Sequence, residues 1–260
     1  MKGKSIERRK NWSEKELIVA FNLYCKLPFG QYHKNNKKVI ELVKILGRTP
    51  SSVSLKLCNF ARLDPVHQKR GIKGMQHGSK LEEKIWNEFN QNWDELAYHS
   101  EIALANLRGL KHDDLIKKFE KDLPEGKEID AVVKIRINQS FFREMILASY
   151  RSRCAVCSLP ETNLLVAGHI IPWSYNIPLR MNPRNGICMC VLHDRAFDKG
   201  LIAISDDYKL LISTSIKRLS NEMAIQRGFL LYEGIEIKLP DRFLPDKQFI
   251  EFHRNNIFTG

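Results

Sequence analysis

The sequence predicts an α+β fold: an all-α N-terminal domain over residues 1–97, a charged helical connector over 98–134, and a mixed domain over 135–260. Three observations carry this. Apolar stripes at helical spacing, with capping residues, fill residues 11–97. Strand and tight-turn signals gather only in the last part of the chain. Charge is also partitioned: 18 Lys+Arg against 5 Asp+Glu in residues 1–80, 7 against 13 in 81–130, and 17 against 12 in 131–260.

Within the first part, Ser13 and Glu16 form a capping box, and Leu17, Ala20, Phe21 and Tyr24 follow until Pro28 and Gly30 stop the helix. Val39, Leu42, Val43 and Leu46 make a second stripe ended by Gly47. Thr49 caps a third helix with Pro50 in its first turn and Val53, Leu57, Phe60 and Ala61 inside. The short Gly47-Arg48-Thr49 connection suits a helix-turn-helix, and the segment loosely resembles Myb-like DNA-binding units. On that reading the third helix exposes Ser51, Ser52, Ser54, Lys56, Asn59 and Arg62. With Arg48 these side chains suit phosphates and base edges. A plain helical packing domain is the alternative.

Pro65–Ser79, with His67, Lys69, Arg70, Lys73 and His77 among glycines, reads as a basic loop or wing, or as an ordinary surface loop. One further helix opens at the Ser79/Glu82 box and buries Leu81, Ile85, Phe89, Trp93 and Leu96. The connector contains a turn cluster at Leu123–Lys127. A helix bearing Phe142, Met145, Ile146 and Tyr150 then leads into Cys154. Hairpins are expected over 201–213 and 229–239, and a last helix over about 246–254.

The 260 residues carry a net charge of +12 and 43% hydrophobic residues, enough to bury a core. The basic head favours a polyanionic partner. No apolar run reaches the roughly 20 residues that span a bilayer. The charged Met1–Lys10 run lacks an apolar stretch behind it, so the expectation is a cytoplasmic protein without a secretory signal. Six cysteines in such a chain point to reduced thiols or metal ligands rather than disulfides.

Cys154-x-x-Cys157 and Cys190-x-x-His193 are two knuckles about 32 residues apart. Each presents two soft or borderline ligands, as a closed, structural Zn²⁺ site needs. Cys188 is a rival to Cys190, while Cys25 and Cys58 read as small core residues. Around the knuckles lie Gly168-His169-Ile170-Ile171-Pro172-Trp173, then Asn182-Pro183-Arg184-Asn185-Gly186, then His193-Asp194-Arg195-Ala196-Phe197-Asp198-Lys199.

Together with the cysteines, residues 135–260 resemble the HNH (ββα-metal) endonucleases, most of all those of bacterial restriction systems. The resemblance implies that His169 is the general base, that Asn185 fixes its loop and ring, and that Asp194 and Asp198 hold the catalytic metal. Two carboxylates four apart on a helix favour Mg²⁺ or Mn²⁺. The residue before the base is often a metal ligand in this family, and here it is Gly168. Arg195 and Lys199 contact phosphates near the metal or only decorate the helix.

The expected activity is hydrolysis of double-stranded DNA, with restriction of foreign DNA as the setting and modification-dependent cleavage as one form of it. One such site cuts one strand, so a double-strand break requires a homodimer or two encounters. The competing expectations are a DNA-binding protein in which Gly168 marks a lost ligand, and a zinc-held interaction domain.

Overall fold

The computed structural model describes residues 11–69, 71, 78–110 and 129–260. The chain divides into two compact units, Met1–Tyr24 with His33–Lys118 and Cys25–Tyr32 with Phe119–Gly260. Arg70, Lys73 and His77 of the expected wing, and the turn cluster at 123–127, lie outside the described residues.

In the first unit the three expected helices are α1 (Glu14–Cys25), α2 (Lys37–Leu46) and α3 (Pro50–Leu63). Local chemistry sets their ends. Ser13 and Glu16 bond reciprocally at the start of α1, Gly47 closes α2 in the left-handed conformation, and Thr49 accepts from Ser52 N ahead of Pro50. Their shared faces meet in an aromatic core. Phe21 stacks on Phe60 at 4.8 Å and lies 5.2 Å from Trp86.

A short α4 (Pro65–Lys69) stands where a loose basic loop was expected, and its His67 is fully buried. The single helix expected from Ser79 is two, α5 (Lys80–Phe89) and α6 (Trp93–Leu107). The break follows from Asn90-Gln91-Asn92. Gln91 takes a positive φ of 80° and Asn92 Nδ2 donates to the Glu88 carbonyl, so the Asn92 amide takes the place of a backbone donor there.

The second unit opens, among its described residues after Tyr32, with α7 (Ile129–Ser149). Arg151 and Ser152, both left-handed, turn the chain into the first knuckle. Strands β1 (Leu165–His169) and β2 (Gly186–Cys190) pair antiparallel with His169 opposite Gly186, and α8 (Val191–Asp198) follows β2 directly. α7 and α8 both pack on this hairpin. Gly186 allows this close approach, since a Cβ there would press on the Ile146 and Phe142 side chains of α7.

β3 (Ile202–Ile204) and β4 (Leu210–Ile212) form the first of the expected hairpins. The second, over 229–239, does not form. After the short helices α9 (Thr214–Lys217) and α10 (Met223–Gly228), Leu230–Tyr232 is a 3-10 turn. Residues 234–237 instead bond to β4 and the turn before it, with Leu210 N donating to Ile235 O and Ile237 N to Tyr208 O. The β4 edge offered open backbone groups, and the apolar Ile237 is buried by pairing there. The terminal helix α11 (Lys247–Asn256) is capped by Asp246.

The segment Cys25–Tyr32 belongs to this unit. Arg242, 1% exposed, donates from Nη2 to the carbonyls of Cys25 and Leu27 at 3.1 Å each. Lys26 pairs with Glu144 at 3.2 Å.

Candidate active site and metal centre

The two knuckles converge. The ligand atoms of Cys154, Cys157, Cys190 and His193 lie within 4.8 Å of one another. Cys154 sits in a tight turn closed by Ser158 N on Cys154 O and Cys154 N on Leu159 O. Cys190 ends β2 as the N-cap of α8, which places His193 one turn along, its Nδ1 3.1 Å from Cys190 Sγ and 3.6 Å from Cys154 Sγ. His193 Nε2 lies 2.8 Å from the Gly228 carbonyl. A carbonyl only accepts, so Nε2 carries the proton and Nδ1 turns its lone pair to the sulfurs, the tautomer a metal needs.

The Cys190 bond pulls Cys154 down, and Cys190 is pushed up to about 11, chiefly by its bond to Cys154. Three sulfurs and one imidazole nitrogen are a zinc donor set, and these residues fit that ion. Cys188 is not in the group. Burial pushes its thiol up to about 12, where it stays protonated and packs as a small apolar residue.

His169 ends β1. Its ring stacks on Phe142 of α7 at 4.3 Å with a 5° interplanar angle, and meets the Trp173 edge at 5.4 Å. Nε2 lies 2.9 Å from Arg180 O, so it carries the proton and leaves Nδ1 as the basic atom. Burial is the main reason its pKa falls below the ordinary histidine value, with the Arg180 carbonyl and the Asp198 charge opposing. At neutral pH the ring is therefore an uncharged proton acceptor.

Asn185, 1% exposed, sits in a 3-10 turn directly before β2. Its Oδ1 accepts from Ile171 N at 2.8 Å, while Nδ2 donates to Ile171 O at 3.1 Å and Leu179 O at 3.3 Å. One side chain thus ties the residues that follow His169 to the residue that precedes Arg180.

Asp194 and Asp198 lie one turn apart on α8. Asp194 is pushed up to about 6 by burial and then by the charge of Asp198. Asp198 is also raised by desolvation, against the pull of Arg195, His169 and Lys199. Two carboxylates that resist sharing negative charge fit a divalent cation. A Cβ built on Gly168 would collide with Asp194 Oδ1. The carboxylate stands where a side chain before the base would begin, so at this position glycine makes room for Asp194.

The residues expected on the DNA-facing side of α3 are largely engaged within the first unit. Arg48 bonds Glu16 through Nε and Nη2 at 2.9 Å each, and reaches Asn11 O. Asn59 is 4% exposed, contrary to expectation, and donates to both oxygens of Glu82, which also pairs with Lys56. Arg62 pairs with Glu83 at 3.1 Å, and Ser52 accepts from Trp12 Nε1. For Lys56 and Asn59 the reason is Glu82. As the fourth residue of its capping box it is fully buried, and a buried carboxylate requires donors around it. Ser51 remains outward. In the second unit Arg195 and Lys199 are exposed and have no carboxylate within ion-pair distance among the described residues.

Sequence reasoning passed over three contributors. Nothing in sequence ties Gly228 O to His193 or Arg180 O to His169, because backbone acceptors have no residue signature. Phe142 was visible only as a core residue.

The β1–β2 hairpin running into α8 is a ββα unit that carries the soft-ligand cluster together with His169, Asn185, Asp194 and Asp198. Over residues 154–205, from the first knuckle through β3, the chain matches the HNH endonuclease family model. No curated protein matches the chain. Among the described residues no helix is long and apolar enough to cross a membrane.

Proposed function

We propose that this protein is a metal-dependent DNA endonuclease, with the Cys154, Cys157, Cys190 and His193 site holding a structural zinc. The observation that carries this is His169, neutral, stacked and proton-bearing at Nε2, on the same hairpin and helix as Asp194. Its Nδ1 takes a proton from the attacking water, the oxygen–phosphorus bond forms in line, and the bond to the 3′ oxygen breaks. That oxygen leaves with a proton from solvent, giving 5′-phosphate and 3′-hydroxyl ends. Asp194 and Asp198 would hold Mg²⁺ or Mn²⁺, which when bound neutralises charge on the phosphoryl and leaving oxygens. Asn185 keeps the loop after the base in place.

The first unit serves as the DNA reader and restriction of foreign DNA is the setting, with modification dependence as one form of it. Its supporting feature is the basic excess of residues 1–80. Reading by α3 would run through Ser51 and Ser52, and through Arg48, Lys56 and Arg62 only if they exchange carboxylates for phosphates. Lys34 and Lys37 lie exposed without an ion-pair partner among the described residues. A break in both strands takes two copies or two encounters.

The test is plasmid DNA from modified and unmodified sources, incubated with Mg²⁺ or Mn²⁺ and with EDTA, beside a His169→Ala control. Cation-dependent nicking that His169→Ala loses is the expected result. Intact binding without nicking under every condition would leave a DNA-binding protein.

A further inference from the structure

Arg180 was not singled out by its sequence context, yet the loop between β1 and β2 is built around it. Its carbonyl holds His169 Nε2 at 2.9 Å, its Nε donates to Trp173 O at 2.9 Å, and its guanidinium lies over the Trp173 ring at 4.6 Å. Asn185 anchors the preceding Leu179. Backbone, stem and stacking partner therefore hold the head group in a defined place, half-buried beside the ring of the base.

What the head group lacks is a counter-charge. Among the described residues no carboxylate pairs with Arg180, and neither terminal nitrogen donates to an acceptor. Arg143 and Arg184 differ. Arg143 commits its terminal nitrogens to Leu165 O and Thr162 O, and Arg184 pairs with Asp246. A held guanidinium with four open N–H donors matches two oxygens of a phosphodiester. Its charge also reaches the His169 ring, where it disfavours the protonated form.

We propose that the Arg180 guanidinium binds the non-bridging oxygens of the scissile phosphodiester, beside the attacking water that His169 activates. This rests on the nuclease reading for the word scissile, whereas the phosphate contact can be tested without cleavage. The arginine positions the phosphate in the ground state and meets the charge that grows on it in the transition state.

The experiment uses the whole 260-residue chain, zinc-loaded, as wild type, Arg180→Met, Arg180→Lys and the exposed-cation control Arg227→Met. Plasmid nicking is measured with Mg²⁺ or Mn²⁺. Affinity for a duplex oligonucleotide is measured without divalent cations across a salt series. The expected result for Arg180→Met is about a hundredfold slower nicking. Its slope of log affinity against log salt should also be shallower by about 0.9, one phosphate contact. Arg180→Lys keeps the slope and loses most of the rate, since charge survives and the forked geometry does not. Arg227→Met changes neither.

A slope for Arg180→Met equal to that of Arg227→Met overturns the proposal, whatever happens to the rate. If the wild type nicks nothing, the nuclease reading fails, and the slope still decides the phosphate contact. Should Arg180→Met melt early, Arg180→Lys decides: wild-type nicking by it overturns the proposal.

Discussion

Gly168 and Asp194 compete for one volume. The first carbon of any side chain at 168 would stand against Asp194 Oδ1, so the glycine before the base and the first carboxylate of α8 form a matched pair. Glycine there lets the helix carboxylate come close to the strand. Gly168→Ala should therefore slow nicking by about a hundredfold, the cost of a displacement near 1 Å, with zinc content unchanged. If the variant cuts at the wild-type rate, Asp194 is not held where the chemistry needs it.

On the zinc reading the four-residue cluster is part of the fold's stability. Purified protein should contain one zinc per chain by elemental analysis. Cys157→Ser should lose it and melt at least about 10 °C lower, because the ion ties the first knuckle to the start of α8. Cys188→Ser should keep its metal. Equal metal loss in both variants would show the wrong cysteine assigned to the site.

Asn185 makes three bonds to backbone groups of one loop. Asn185→Ala leaves those groups buried and unmatched, a cost of about 2 kcal/mol in urea unfolding, and should also slow nicking. Asn185→Asp should do no better, since it sets a carboxylate against the carbonyls of Ile171 and Leu179. Full stability in either variant would mean the loop is held by something else.

His253 predicts a pH dependence of stability. It is 1% exposed, its Nε2 bonds to Phe197 O at 3.0 Å, its ring stacks on Phe197 at 3.6 Å, and Nδ1 faces no acceptor. Burial holds its pKa down to about 4. Between that value and the ordinary 6.5 the unfolded chain binds a proton that the folded chain refuses. Stability is complete above pH 6.5, falls as pH drops towards 4, and is flat below. Going from pH 7 to pH 5 should remove about 2 kcal/mol through this residue, seen as the wild-type loss in excess of His253→Gln.

Glu82 ties α3 to α5 through Lys56 and Asn59. Glu82→Ala should destabilise the first unit by about 3 kcal/mol, because it strands a partly buried ammonium and removes a cap. A change within 0.5 kcal/mol would free Lys56 and Asn59 for the DNA-reading role expected of them.

What was legible in the sequence was what repeats or spaces itself. Caps and apolar stripes predicted α1, α2 and α3, and paired knuckles predicted the ligand cluster. The order of His169, Asn185 and Asp194 predicted the hairpin and helix that carry them. What escaped depends on partners distant in the chain. Asn59 reads as an outward polar residue until Glu82 is seen buried beside it. Residues 229–239 read as a hairpin until β4 supplies a better edge. Arg180 reads as any surface arginine until its carbonyl is found on the His169 ring.

The Arg242 contact with Cys25 and Leu27 makes the second unit discontinuous in sequence, with a consequence for its biogenesis. On the ribosome residues 25–32 emerge early and must wait for more than two hundred residues before the arginine that covers their carbonyls exists. A fragment begun at residue 135 would lack those acceptors and leave a buried guanidinium without them. Separating the N-terminal helices from residues 135–260 therefore removes a piece of the second unit.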